Sequence, residues 1–315
     1  FDGQHVPYDY ISTQQIQKTA DLNAKYDVIV FPPAGGSAMS IINGMPMWRN
    51  PLPWKKTALT PNIGVLDSTD DIRPGMGLDG LQHLKDFVSN GGLLITAVNT
   101  ADFAMEFGMA NGVSSRSPRG QEVVGSYLRT RIVDGASPIA YGIEDNLAVY
   151  SDEGETFGVS NTGGGRGGFG GRGGDGAMRA TGRGTADEQG TVQGRPALTP
   201  QFEAPIRPRV EPWQAQPISD EQLRNALNII PPAERPRVIL RYSDQKDLLV
   251  SGLLSGGSDI AQRPVVIDAP QGKGHVVLFA NNPVYRAETI GSYALVFNAI
   301  MNWDNLNAGR VLDKR

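Results

Sequence analysis

Apolar positions along the chain fall into short unbroken runs separated by stretches of helical period. Tyr26 to Phe31 (YDVIVF) is one run, closed by Pro32 and Pro33, and Leu93 to Val98 (LLITAV) is another, interrupted only by Thr96. Runs of this length predict strands, and LLITAV, apolar on both faces apart from Thr96, predicts a central parallel strand covered on both sides. Val6 to Ile11 (VPYDYI) alternates branched and aromatic residues and predicts a further strand. The polar segment Thr13 to Ala24 is long enough for a short crossover helix, which makes the N-terminal part read as a β-α-β unit. Asp79 is placed to cap a helix whose Leu81, Leu84, Phe87 and Val88 share one face, and Gly91 with Gly92 supplies its stop. A second helix is expected from Ala101 to Phe107, ended by Gly108. Strands are expected at Ser126 to Val133, Leu147 to Tyr150, Arg237 to Tyr242, Val265 to Asp268 and His275 to Ala280. Further helices are expected at Ser219 to Ile229 and Glu288 to Trp303.

Two stretches break the pattern. From Ala34 to Gly75 periodicity disappears, and Met45 to Gly64 (MPMWRNPLPWKKTALTPNIG) concentrates Pro, Trp and Met. A loop this long in a compact domain is commonly a binding surface or a cap. Trp residues favour burial, so Trp48 and Trp54 are expected to lie over the sheet as a satellite of the core. The rival reading makes Trp48, Trp54 and Tyr285 stacking platforms for a glycan or peptide. The second stretch, Gly163 to Gly176, is mostly glycine and runs into proline-rich sequence up to Trp213. Such composition buries too little apolar surface to order itself. A neighbouring copy of the chain is the simplest surface to hold it, with Gly163, Arg166, Phe169 and Arg172 as contact candidates. The fold class this predicts is α/β: a doubly wound, mostly parallel sheet forming one domain from residues 1–161 and 218–315, around a Gly/Pro-rich insertion at 162–217.

Composition narrows the chemistry. A chain of 315 residues with a formal charge of −4 has no electrostatic pull on nucleic acid, and RGGFGG is too short a basic repeat to change that. No apolar run reaches the roughly 20 residues of a membrane span. The absence of cysteine removes thiolate chemistry and disulfides. Asn99 and Thr100 follow the LLITAV run at a strand-to-helix corner, where many α/β enzymes mount a nucleophile. A hydroxyl there needs a base, and His5, His83 and His275 lack the neighbouring acid spacing that would orient one. Asn99 and Thr100 therefore read as helix-capping residues. Asp67, Asp70 and Asp71 (DSTDD) are the sole weak candidates for holding a metal, and they lack the glycine and terminal glutamate of a calcium loop. No cofactor is expected.

The segments VPYDYIST, KYDVIVFPP, MPMWRNPLPWKKTALTPNIG, DSTDDIRPGMGLDGLQHLKDFVSNGGLLITAV and GKGHVVLFANNPVYRAETIGSYALVFNAIMNW resemble the C-terminal, class I glutamine amidotransferase-like region of large bacterial secreted zinc carboxypeptidases of the carboxypeptidase A type. The resemblance implies a flavodoxin-like sheet whose first strand and much of its first helix lie upstream of Phe1, and an extracellular or periplasmic location. It implies too that the zinc ligands and catalytic glutamate belong to an upstream peptidase domain. The amidotransferase cysteine position is vacant here. The expected role is that of a non-catalytic module acting through self-association, as an oligomer or filament subunit. An accessory substrate-positioning domain, or a hydrolase using Thr100, are the alternatives.

Overall fold

A strand apolar on both sides needs cover on both sides, and the computed structural model, which describes residues 1–48, 50–116, 122–152, 154–161 and 229–311, supplies it at the centre of a mixed α/β sheet. In chain order the strands are β1 (Val28–Phe31), β2 (Leu93–Ala97), β3 (Val113–Arg116), β4 (Glu122–Ile132), β5 (Asn146–Ser151), β6 (Thr156–Val159), β7 (Arg237–Tyr242), β8 (Leu249–Ser255), β9 (Pro264–Gln271) and β10 (Gly274–Phe279). The helices are α1 (Thr13–Lys18), α2 (Ala38–Asn43), α3 (Gly77–Ser89), α4 (Asn99–Glu106) and α5 (Ile290–Met301). The main sheet runs β1-β2-β10-β9-β7-β4-β5, with β8 also on β4, while β3 and β6 pair separately. The expected parallel order holds where β1, β2 and β10 meet. From β10 onward the ladders are antiparallel. The reason is local: β9 returns into β10 through a tight turn at Gly272 (φ 63°), and so short a connection cannot join parallel strands.

Every residue of β2 and β10 is buried. Gly92 is needed at the start of β2, because a Cβ there would stand 2.3 Å from the Phe87 ring. Asp79 lies in the first turn of α3, whose N-cap is Met76, so its role is to place a carboxylate near the helix N-terminus. Leu81, Leu84, Phe87 and Val88 all face the core, as their spacing requires.

Three expectations are corrected. VPYDYI forms no ladder: Pro7 removes a donor, and Tyr8 and Tyr10 turn outward. The first helix stops at Lys18, and the last begins at Ile290. Strands β3, β6 and β8 and helix α2 are additional; α2 is a short helix of six residues capped by the Ser37 side chain, which accepts from the Ser40 N–H at 3.3 Å. The insertion, with Gly163, Arg166, Phe169 and Arg172, and the helix expected at 219–229 up to residue 228 lie outside the described residues.

Candidate functional site

The corner after β2 keeps a strained backbone and carries an inert residue. Val98 has φ 56° and ψ −124°, a conformation that costs a β-branched residue about 1–3 kcal/mol. Its carbonyl accepts from the Ala101 and Asp102 N–H groups at 2.9 and 3.3 Å, opening α4, and its own N–H donates to Phe279 of β10 at 2.9 Å. The strained position is thus one residue earlier than the Asn99–Thr100 pair picked out from sequence, and an isopropyl group occupies it. Both neighbours serve the backbone. Thr100 is fully buried; its hydroxyl accepts from the Ala97 N–H at 2.9 Å and sits 2.8 Å from the Phe31 carbonyl. Asn99 clamps the loop after β1, accepting from the Ala34 N–H at 3.0 Å and donating to the Ala34 and Gly36 carbonyls.

The imidazoles of His83 and His275 make their hydrogen bonds away from this corner. His275 opens β10 opposite Leu93, five residues back along the strand, or roughly 16 Å at about 3.3 Å per residue. It is buried, with Nδ1 2.6 Å from Asp268 and Nε2 3.1 Å from the Asn307 amide, so it donates to the carboxylate and accepts from the amide. Arg310 reaches the same carboxylate at 3.4 Å, and the cluster fastens the segment from Asn307 to Arg310 to the sheet. His83 contacts the Ile16 carbonyl at 3.0 Å, and His5 lies in an exposed N-terminal turn. Beside the corner, an apolar cleft of 750 Å³ runs between β1, β2 and α5, lined by Val30, Ile95, Ala97, Ile290 and Phe297.

The Pro/Trp/Met segment contradicts the core reading of Trp48 and Trp54. Residues 45–73 leave and re-enter the fold through one neck, where Gly44 and Gly75 touch: a Cβ on Gly44 would stand 2.0 Å from the Arg73 carbonyl, and one on Gly75 2.4 Å from that of Ile42. Within the excursion Trp54 and Thr69 exchange both backbone hydrogen bonds, at 2.8 and 3.0 Å, and Ile72 donates to Leu52 at 2.9 Å. Gln14 of α1 donates to the Asp71 carbonyl at 2.9 Å. The backbone is bonded and the side chains are not covered: Trp48 is 71% exposed, Leu59 93% and Trp54 44%. Met45, Met47, Leu52, Val65 and Leu66 are exposed with them. Apolar side chains held outward on an ordered backbone mark a contact surface.

The acidic turn is committed to this strap. Asp70 pairs with Lys55 at 2.5 Å, and Asp71 holds Arg73 through two contacts of 2.8 and 2.6 Å. That guanidinium holds the Asp71 carboxyl well below the usual carboxylate range. Asp67 accepts from the Ser68 N–H at 2.8 Å. Among the described residues no group of His, Asp or Glu is arranged to hold a metal ion. Tyr285 belongs to a different cluster from the tryptophans. It stacks on Tyr150 at 3.9 Å, and Arg286 lies over its ring at 5.1 Å. Its bond to Tyr150, with burial, pushes the Tyr150 phenol up to about 12. Sequence reasoning missed Tyr8 and Tyr10; a Pro-flanked pair of alternating tyrosines was the available signal.

No family model matches the chain, and no curated protein does either. Among solved structures it is similar to two described as cytoplasmic proteins of Salmonella typhimurium. Each is 10% identical; the first alignment covers 95% of this chain and 82% of that one at a TM-score of 0.42, and the second covers 96% and 81% at 0.40. It is also similar to a ThuA-like protein of Bacteroides uniformis, 10% identical over 95% of this chain and 74% of that one, at 0.36. ThuA-like proteins have a class I glutamine amidotransferase-like fold. Similarity at this level carries no activity or partner across. The extracellular or periplasmic location is withdrawn: it followed from the carboxypeptidase resemblance, no carboxypeptidase appears among these matches, and both Salmonella proteins are described as cytoplasmic. Among the described residues no helix is long and apolar enough to cross a membrane.

Proposed function

We propose that the chain is a non-catalytic, amidotransferase-like module that works through contact surfaces, copies of itself being the first partner. One observation carries the reading: the strained corner after β2 presents Val98, which has no group to attack, donate or accept. The two polar side chains that follow it, Asn99 and Thr100, are used up on backbone. The ordered apolar strap at 45–73 supplies the surface such a module needs. The doubly wound form of the fold is part of the same proposal, and the packing of Phe31 edge-on against Phe103 of α4 at 5.6 Å, with Val30 lining the cleft beneath α5, supports it. A second reading, an accessory domain beside a zinc carboxypeptidase, draws on the motif resemblance, and the exposed strap would then face the peptidase or its substrate.

Sedimentation velocity over a wide concentration range tests the first reading. The wild-type chain should associate as concentration rises. The double variant Trp48→Ser/Leu59→Ser should stay monomeric with its stability moved by less than about 1 kcal/mol, since exposed substitutions usually cost within ±0.5 each. A wild-type chain that is monomeric throughout overturns self-association.

A further inference from the structure

Tyr10 stands between two grooves. On one side it shares a cleft of 570 Å³ with Tyr8, Leu66, Asp2 and Asp9. On the other it shares a slot of 110 Å³ with Trp54 and Asp67. All three rings are open to solvent, Tyr10 at 56% exposure. The floor beneath them is fixed, because Gln14 bonds the Asp71 and Pro74 carbonyls at 2.9 and 3.3 Å while Thr69 donates to Gln14 at 3.1 Å. The result is a ridge with an aromatic-walled slot on each flank, built from the irregular N-terminal segment and the strap.

Rings spaced along a shallow surface suit a ligand that presents apolar side chains at regular intervals and keeps its own backbone unbonded. A polyproline II peptide does both: its prolines drop into successive slots, its free carbonyls accept from groups such as the Trp54 indole N–H, and its preformed shape lowers the ordering cost. The charge around the slots points to one kind of proline-rich peptide. Asp2, Asp9 and Asp67 line the two grooves against a single ammonium, that of Lys25. An arginine at the end of the ligand would meet carboxylates and aromatic faces together.

We propose that the Tyr8–Tyr10–Trp54 surface binds a basic, proline-rich peptide segment of a partner protein. The inference rests on the reading that this module works through contacts, and it does not require self-association. The test is fluorescence anisotropy with a labelled decapeptide of the pattern P-x-x-P-x-R, titrated with the full chain. Saturable binding is expected, weakened about tenfold or more by Tyr10→Ala, as for a central aromatic anchor, and weakened severalfold by Asp9→Asn/Asp67→Asn and by added salt. Replacing the peptide's prolines with alanine should abolish it. Tyr10 and Asp9 are exposed and Asp67 is half-buried, and an unchanged thermal midpoint shows that the variants fold. No saturation, or binding indifferent to Tyr10→Ala, or equal binding of the alanine peptide, overturns the proposal. Sedimentation of the same samples separates the two ideas: a chain that associates yet ignores the peptide rules out the groove alone.

Discussion

The corner after β2 and the strap at 45–73 spend free energy in opposite ways. At the corner the backbone is strained and the surrounding side chains are buried or tied down; at the strap the backbone is relaxed and hydrogen-bonded while the side chains stand in water. Strain at Val98 persists because β10, α4 and the loop after β1 hold it from three sides, the arrangement that in an enzyme would aim a nucleophile. The exposed strap has the reverse logic, since its apolar surface is stabilising only when something covers it. A fold can thus keep the scaffold of a reactive centre while its working surface lies elsewhere.

Breaking the rigid side of this comparison should cost most. Phe103→Ala removes a fully buried ring from between Phe31 and Phe107 and should lower unfolding free energy by about 3–5 kcal/mol in urea titrations. A smaller effect is set by pH. Burial pushes the Tyr242 phenol up to about 12. The folded state therefore keeps a proton that the unfolded chain releases near pH 10, and stability present below that point is lost as pH rises. By pH ~11 the wild type should have lost about 1.4 kcal/mol more than Tyr242→Phe, measured as the difference in unfolding midpoints between neutral and alkaline buffer. Val98→Gly should move stability by less than about 1 kcal/mol, because relief of positive-φ strain offsets the lost isopropyl contacts. A half-buried valine in ordinary strand geometry would lose clearly more, so a large loss at Val98 would show that the corner is not strained.

How much of this was legible in the sequence follows from what each feature depends on. LLITAV announces a central strand because burial on both faces is written in the residues themselves, whereas YDVIVF gives β1, a strand at the sheet edge with Val28 and Phe31 half-buried and Val30 exposed. VPYDYI carries a strand pattern without a neighbouring edge to pair with, and pairing is a property of the whole fold. The tryptophans misled for a related reason: their preference for burial is an average, and the Gly44–Gly75 neck that carries the strap outward is a backbone contact no periodicity reports. At the corner, residue types suggested capping by Asn99 and Thr100, yet the N-cap is Val98 with no side-chain cap, because those two side chains bond the preceding strand and the loop after β1; the placement of strain on Val98 depends on a dihedral angle. The antiparallel half of the sheet was hidden by the Gly272 hairpin, since β9 and β10 look alike whether they run together or opposed.

Hydrogen exchange followed at low and high protein concentration puts the central claim to its most direct test. If contact surfaces do the work, rising concentration should add protection to amides of residues 45–73 and leave those around Val98 and α4 unchanged. Added protection confined to the corner after β2, with the strap exchanging at the same rate at every concentration, would contradict the account.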